Sequence, residues 1–166
     1  MQVLVLYYSK SGNTKKLAEE IAKGVQEVKD IRSVLKTTAE VTKEDLLASD
    51  GLIVGSPCYF GGMAAELKLT LEKFSSIRKQ MTDKVGAAFA TGAQQSGGKE
   101  TTMMELLRAL MVFGLAVVGD PPDAPGHFGI ASTGAPDEVM SGHARKLGRR
   151  VAQLAQKLSN EGKSGY

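Results

Sequence analysis

The chain has 166 residues, 42% hydrophobic and 23% charged, which fits one globular domain with a substantial core. A net charge of +3 and a pI near 8.9 are too mildly basic to indicate nucleic acid, and no apolar run approaches the ~20 residues of a membrane span. One cysteine excludes an intrachain disulfide, and with two histidines it leaves little for a structural zinc site.

The chain opens on an apolar strand, Val3-Leu4-Val5-Leu6-Tyr7-Tyr8, with no basic leader before it, so a cytoplasmic protein is expected. The polar turn Ser9-Lys10-Ser11-Gly12-Asn13-Thr14 follows at once, and then a helix over about 14–28 with Leu17, Ile21, Val25 and Val28 on one face. Strand, hydroxyl- and Gly-rich turn, and helix N-terminus together make a phosphate site: the helix's first free N–H groups and its positive dipole end point at the turn. Ser9, Ser11, Thr14 and Asn13 add side-chain donors, and Gly12 can adopt the positive φ that curls the loop around an anion. The plainer alternative is an ordinary loop with Thr14 as N-cap.

A second strand is expected over 31–37, and Thr42-Lys43-Glu44-Asp45 reads as a capping box opening a short helix. Gly51-Leu52-Ile53-Val54-Gly55 is wholly apolar, as befits a strand buried on both faces of a parallel sheet. The loop Ser56-Pro57-Cys58-Tyr59-Phe60-Gly61-Gly62 places two aromatics outside any core periodicity, where one can stack on a planar ligand or plug the sheet edge. Cys58 is read as a small loop filler before a reactive thiol. Met63, Leu67, Leu71 and Phe74 then fall at helical spacing.

A fourth strand over 85–90 ends in the amide-rich loop Thr91-Gly92-Ala93-Gln94-Gln95-Ser96-Gly97-Gly98-Lys99, which can hydrogen-bond the edge of a heteroaromatic ring. This loop nearly matches a P-loop. It has one residue too many before the lysine, and Glu100 stands where a magnesium-binding hydroxyl is required. A helix over 100–113 with Gly114 as its C′ residue, a fifth strand over 115–118 and a Pro-rich excursion over 120–126 lead to His127, a candidate substrate contact. The last helix is expected from Glu138 to about Leu158, with Arg145, Lys146, Arg149 and Arg150 on a solvated face and His143 at the surface. A frayed tail over 160–166 leaves 1–159 as a single domain.

Five strand–helix repeats imply an α/β fold with an open parallel sheet, whose ligands bind beyond the strand C-termini. All three polar loops lie at that edge. No GxGxxG follows the first strand, and neither histidine has an obvious carboxylate or serine partner, so a bound cofactor must supply the chemistry.

Ser9-Lys10-Ser11-Gly12-Asn13-Thr14 resembles the flavin mononucleotide (FMN) phosphate loop of flavodoxins. Gly55-Ser56-Pro57 with Phe60-Gly61-Gly62-Met63-Ala64 looks like the flavin loop of the tryptophan-repressor-binding-protein type of NAD(P)H:quinone oxidoreductases. Thr91-Gly92 through Gly97-Gly98, with Glu100-Thr101-Thr102, is similar to that family's third flavin loop, and His127-Phe128-Gly129 also fits. The resemblance covers essentially the whole chain. It implies a flavodoxin-like three-layer sandwich with a five-stranded parallel sheet in the order 2-1-3-4-5, and FMN as cofactor. Ser9, Lys10, Ser11, Gly12, Asn13 and Thr14 would hold the phosphate side. Pro57, Cys58, Tyr59, Phe60, Gly61, Gly62, Thr91, Gly92, Ala93, Gln94 and Gly97 would border the isoalloxazine ring.

Two features depart from these families. The chain lacks the insertion after the second strand that helps the quinone reductases form tetramers, although a homo-oligomer stays open. It is basic where flavodoxins are acidic, which weighs against a low-potential carrier. The resemblance implies an oxidoreductase in which NAD(P)H and then a quinone share one pocket. The alternatives are an electron carrier between redox protein partners, with a Gly61-Gly62 carbonyl offered to the reduced flavin's N5–H, and a non-redox binding domain with a vestigial flavin site.

Overall fold

A computed structural model describes residues 1–161 and is built around β1 (Gln2–Tyr7), every residue of which is buried. The period-two alternation of a strand sends Leu4 and Leu6 to one side of the sheet and Val3 and Val5 to the other, so both faces must be covered. The remaining elements are α1 (Asn13–Gln26), β2 (Arg32–Thr37), α2 (Lys43–Ala48), β3 (Gly51–Pro57), α3 (Ala65–Lys73), the single turn α4 (Arg78–Met81), β4 (Val85–Gly92), α5 (Lys99–Val112), β5 (Ala116–Val117), β6 (Ile130–Thr133) and α6 (Glu138–Glu161). The strands are parallel in the order β2-β1-β3-β4-β5, with helices on both sides. Leu67 of α3 and Leu106 and Leu110 of α5 pack on the Leu4 face; Leu17 and Ile21 of α1 and Leu147 and Val151 of α6 pack on the Val3 face.

The expected capping box forms, with Thr42 Oγ1 accepting from the Asp45 N–H and Asp45 Oδ2 accepting from the Thr42 N–H. Gly114, at φ 82°, ends α5 as expected.

The expected order 2-1-3-4-5 holds, with a sixth strand added because the fifth position of the sheet is filled in two pieces. β5 is reduced to two residues against Val85 and Gly86, and β6 pairs Phe89 to Gly92 of the same β4. Residues 119–129 leave the sheet between them. Pro121, Pro122 and Pro125 have no N–H to give a ladder, and the buried Asp120 carboxylate ties the excursion into a strap by accepting from the N–H groups of Gly126 (2.8 Å) and Gly129 (3.3 Å).

Arg145 and Arg149 keep the solvent exposure expected of this face of α6 and also form a seam with α1. Arg145 reaches Glu20 (2.6 Å) and Arg149 reaches Glu27, while Lys146 reaches Asp123 (2.8 Å) of the strap. Burial pushes the Glu20 carboxyl up, but hydrogen bonds from Lys23 and Arg145 outweigh it and hold its pKa below the usual carboxylate range. A carboxyl depressed in the folded state contributes stability above its unfolded pKa and loses it as pH falls through the folded one. Glu20→Gln is therefore expected to lower stability at pH 7 and to flatten the decline below about pH 4.5, read by urea unfolding across that range.

α6 runs on through Glu161, so residues 160 and 161, assigned above to a tail, are helical; 162–166 lie outside the described residues. Among the described residues no helix is long and apolar enough to cross a membrane.

Candidate functional site

The first turn is shaped by Gly12, the N-cap of α1, at φ 92°. A Cβ there would meet nothing within 4 Å, so glycine serves the backbone angle and not the space. Ser9 Oγ accepts from the N–H groups of both Gly12 (3.2 Å) and Lys15 (3.3 Å). The turn's amides thus converge on one oxygen, as they would on an oxygen of a bound anion. The first turn of α1 carries no acid, and Lys10, Lys15 and Lys16 are exposed around it.

With Gly12 at the cap, the N-cap reading of Thr14 falls. Thr14 is buried, and its Oγ1 lies 2.7 Å from Oγ1 of the equally buried Thr91 at the end of β4. Two hydroxyls hold two protons and their mutual bond uses one. The other is left for an acceptor such as a phosphate oxygen.

The second and third loops are cross-tied. β3 and β4 run further than expected, through Pro57 and Gly92. Ser56 Oγ closes the base of the second loop, donating to the Pro57 carbonyl and accepting from the Ala64 N–H, both at 2.8 Å. The Cys58 N–H donates to the Thr91 carbonyl (2.6 Å) and its thiol to the Gly97 carbonyl (2.9 Å), so Cys58 joins the two loops. Tyr59 and Gly62 exchange N–H···O bonds of 2.9 and 3.0 Å around Phe60 and Gly61, at φ 50° and 79°. Two successive positive φ values mark a type I′ hairpin turn. Phe60 is fully exposed at its tip, and Tyr59 stands edge-on to Tyr8 with ring centroids 6.4 Å apart.

Lys99, the lysine of the near P-loop, faces inward on its own loop. Its ammonium donates to the Gln94 and Gln95 carbonyls and to Thr133 Oγ1, which uses all three protons and closes the third loop onto β6.

Direct bonds therefore join Ser9 to Gly12, Thr14 to Thr91, and Cys58 to Thr91 and Gly97. Lys10, Ser11, Ala93 and Gln94 lie on the exposed rim of the loops. His127 is not drawn into this set. It sits exposed on the strap, edge-on to Phe128, lining a cavity of about 590 Å³ beside the third loop with Gln95, Lys99, Met103 and Met140. His143 is half-buried, and its Nδ1 has no partner among the described residues.

Sequence reasoning quoted Thr101 only within the third-loop resemblance, gave it no role, and missed Glu105. Thr101 Oγ1 lies 2.8 Å from both the Gly61 and Gly98 carbonyls, and Glu105 Oε2 accepts from the Met63 N–H at 2.7 Å. Their i, i+4 spacing just after a predicted ligand loop was the available signal.

Comparison with known proteins agrees with this geometry. Residues 1–122 match the model of the family described as NADPH-dependent FMN reductase. An NAD(P)H dehydrogenase (quinone) of Archaeoglobus fulgidus is 32% identical over 95% of this chain and 98% of its own length. A flavodoxin of Aquifex aeolicus is 36% identical over 92% of this chain and 85% of its own length. A flavodoxin, WrbA-like protein from Agrobacterium tumefaciens shares the fold at a TM-score of 0.81 and 24% identity, over 94% of this chain and 98% of its own. The chain belongs to the NADPH-dependent FMN reductase family and is an FMN oxidoreductase on a flavodoxin-like fold.

Proposed function

We propose that the protein carries electrons from NAD(P)H through FMN to a quinone, with donor and acceptor visiting the same flavin face in turn. The observation that carries this reading is the convergence of the first turn's amides on Ser9 Oγ, beside two loops cross-tied by Cys58. Those residues fit FMN. A phosphate oxygen can displace Ser9 Oγ from the Gly12 and Lys15 amides, the Thr14–Thr91 pair has a proton to spare, and three lysines oppose the phosphate's charge. Bound FMN supplies a ring that accepts hydride from the nicotinamide and gives two electrons to a quinone, which takes up two protons to become the hydroquinone.

The chain's own work is binding and electrostatics. The first loop anchors the phosphate, and the Cys58 tie keeps the second and third loops at a fixed separation for the ring. The exposed Phe60 and half-exposed Tyr59 offer aromatic surface at the mouth. The basic rim around Lys10, Lys15 and Lys16 favours approach of the anionic dinucleotide. Quinone relatives aligned over nearly the full chain support the acceptor class.

Anaerobic mixing of the FMN-loaded protein with NADPH and with NADH tests the reading. Prompt bleaching of the flavin absorbance, and recovery on adding benzoquinone, is expected. Flavin that stays oxidised with both donors overturns the enzyme reading in favour of the carrier.

A further inference from the structure

We infer that Thr101 and Glu105, four residues apart on one face of α5, are positioning residues that set how the 59–63 turn meets the flavin. The inference rests on the FMN reading above. The turn's carbonyls can be accounted for one by one. That of Tyr59 takes the Gly62 N–H, that of Gly62 takes the Tyr59 N–H, and that of Gly61 takes the Thr101 hydroxyl. Among the described residues none donates to the Phe60 carbonyl, so it is the turn's free acceptor.

Thr101 controls which carbonyl is free. Its hydroxyl bridges the Gly61 carbonyl of the second loop and the Gly98 carbonyl that ends the third, so one side chain spaces the two loops that border the ring. Glu105 fixes the far end of the same turn through a charge-assisted bond from the Met63 N–H. A Cβ on Gly62 would lie 2.7 Å from Glu105 Oε2, so the turn and this carboxylate are already in close contact. α5 thus holds the turn at Gly61 and at Met63.

Reduced FMN bears a hydrogen on N5 that oxidised FMN lacks, so a turn that keeps one acceptor free and in place favours the reduced form. Thr101→Val removes the hydroxyl at an exposed position without changing side-chain size. It is expected to lower the affinity for reduced FMN relative to oxidised FMN about tenfold, which moves a two-electron midpoint potential about 30 mV more negative. Thr101→Ser keeps the hydroxyl and is expected to restore the wild-type ratio. Glu105→Leu, which strips the acceptor from the Met63 N–H, is expected to shift the ratio in the same direction.

The measurement is FMN binding by quenching of flavin fluorescence, combined with a redox titration of the bound flavin. A Thr101→Val ratio within about twofold of wild type, even with both affinities reduced, assigns Thr101 a purely structural role and overturns the inference. Thr101→Ser behaving like Thr101→Val overturns it as well. Wild-type protein that fails to bind FMN overturns the cofactor reading and this inference together.

Discussion

Gly148→Ala is expected to lower the unfolding free energy by about 3 kcal/mol or more, the opposite sign from most Gly→Ala changes in a helix interior. A Cβ on Gly148 would sit 2.0 Å from the Ile21 carbonyl oxygen, and one on Gly24 would sit 2.0 Å from the Arg145 carbonyl oxygen. α1 and α6 therefore touch backbone to backbone at two reciprocal points. A backbone carbonyl cannot swing aside as a side-chain terminus can, so the helices would have to part. Leu17, Ile21 and Val25 would then lose contact with Leu147 and Val151, and the Arg145–Glu20 and Arg149–Glu27 pairs would stretch. Gly142 in the same helix is the internal control. Nothing lies within 4 Å of its would-be Cβ, and Gly142→Ala is expected to stabilise by up to ~1 kcal/mol from propensity alone. Urea unfolding of both variants decides the matter. Gly148→Ala at or above wild-type stability would mean the two helices adjust freely.

Ser9→Asp is expected to separate folding from binding. A carboxylate in place of the Ser9 hydroxyl still accepts from the Gly12 and Lys15 amides and lies at the positive end of α1, so stability should rise by ~0.5 kcal/mol. The same carboxylate repels a phosphate held by those amides, at about 4 kcal/mol for two unit charges 4 Å apart near a surface. After allowance for relaxation and the neighbouring lysines, FMN affinity should fall about 100-fold. Equal FMN affinity in the two proteins would place the phosphate elsewhere.

Much of the architecture was legible because local signals agreed with the global fold. The apolar runs of β1 and β3, the capping box at Thr42 and the C′ glycine at 114 each did locally what the sheet required. The three polar loops at the strand C-termini were legible for the same reason, being polar punctuation after buried strands. β6 was not. Four residues, Ile130-Ala131-Ser132-Thr133, carry too little pattern, and their pairing depends on Asp120 closing a strap ten residues earlier in the chain.

The pairing on the basic face of α6 was not legible, because a charge run on a helix looks the same whether water alone or a neighbouring helix also meets it. Only the fold brings Glu20 and Glu27, more than a hundred residues away, against Arg145 and Arg149. The roles of Thr101 and Glu105 were not legible on similar grounds: both are helix residues that bond a loop about 40 residues upstream. Thr14 was found for a role in the loop, but its buried partner Thr91 emerges only from the strand order.

In the proposed site, residues 9–14 hold the phosphate of a mononucleotide whose ring lies between the second and third loops. Comparing the affinities of FMN and riboflavin for the same protein tests it most directly, since the two share a ring and differ only in the phosphate. Charge-assisted hydrogen bonds to that phosphate totalling about 4 kcal/mol should make FMN bind about 1000-fold more tightly than riboflavin. Equal affinities would mean that residues 9–14 do not hold the phosphate.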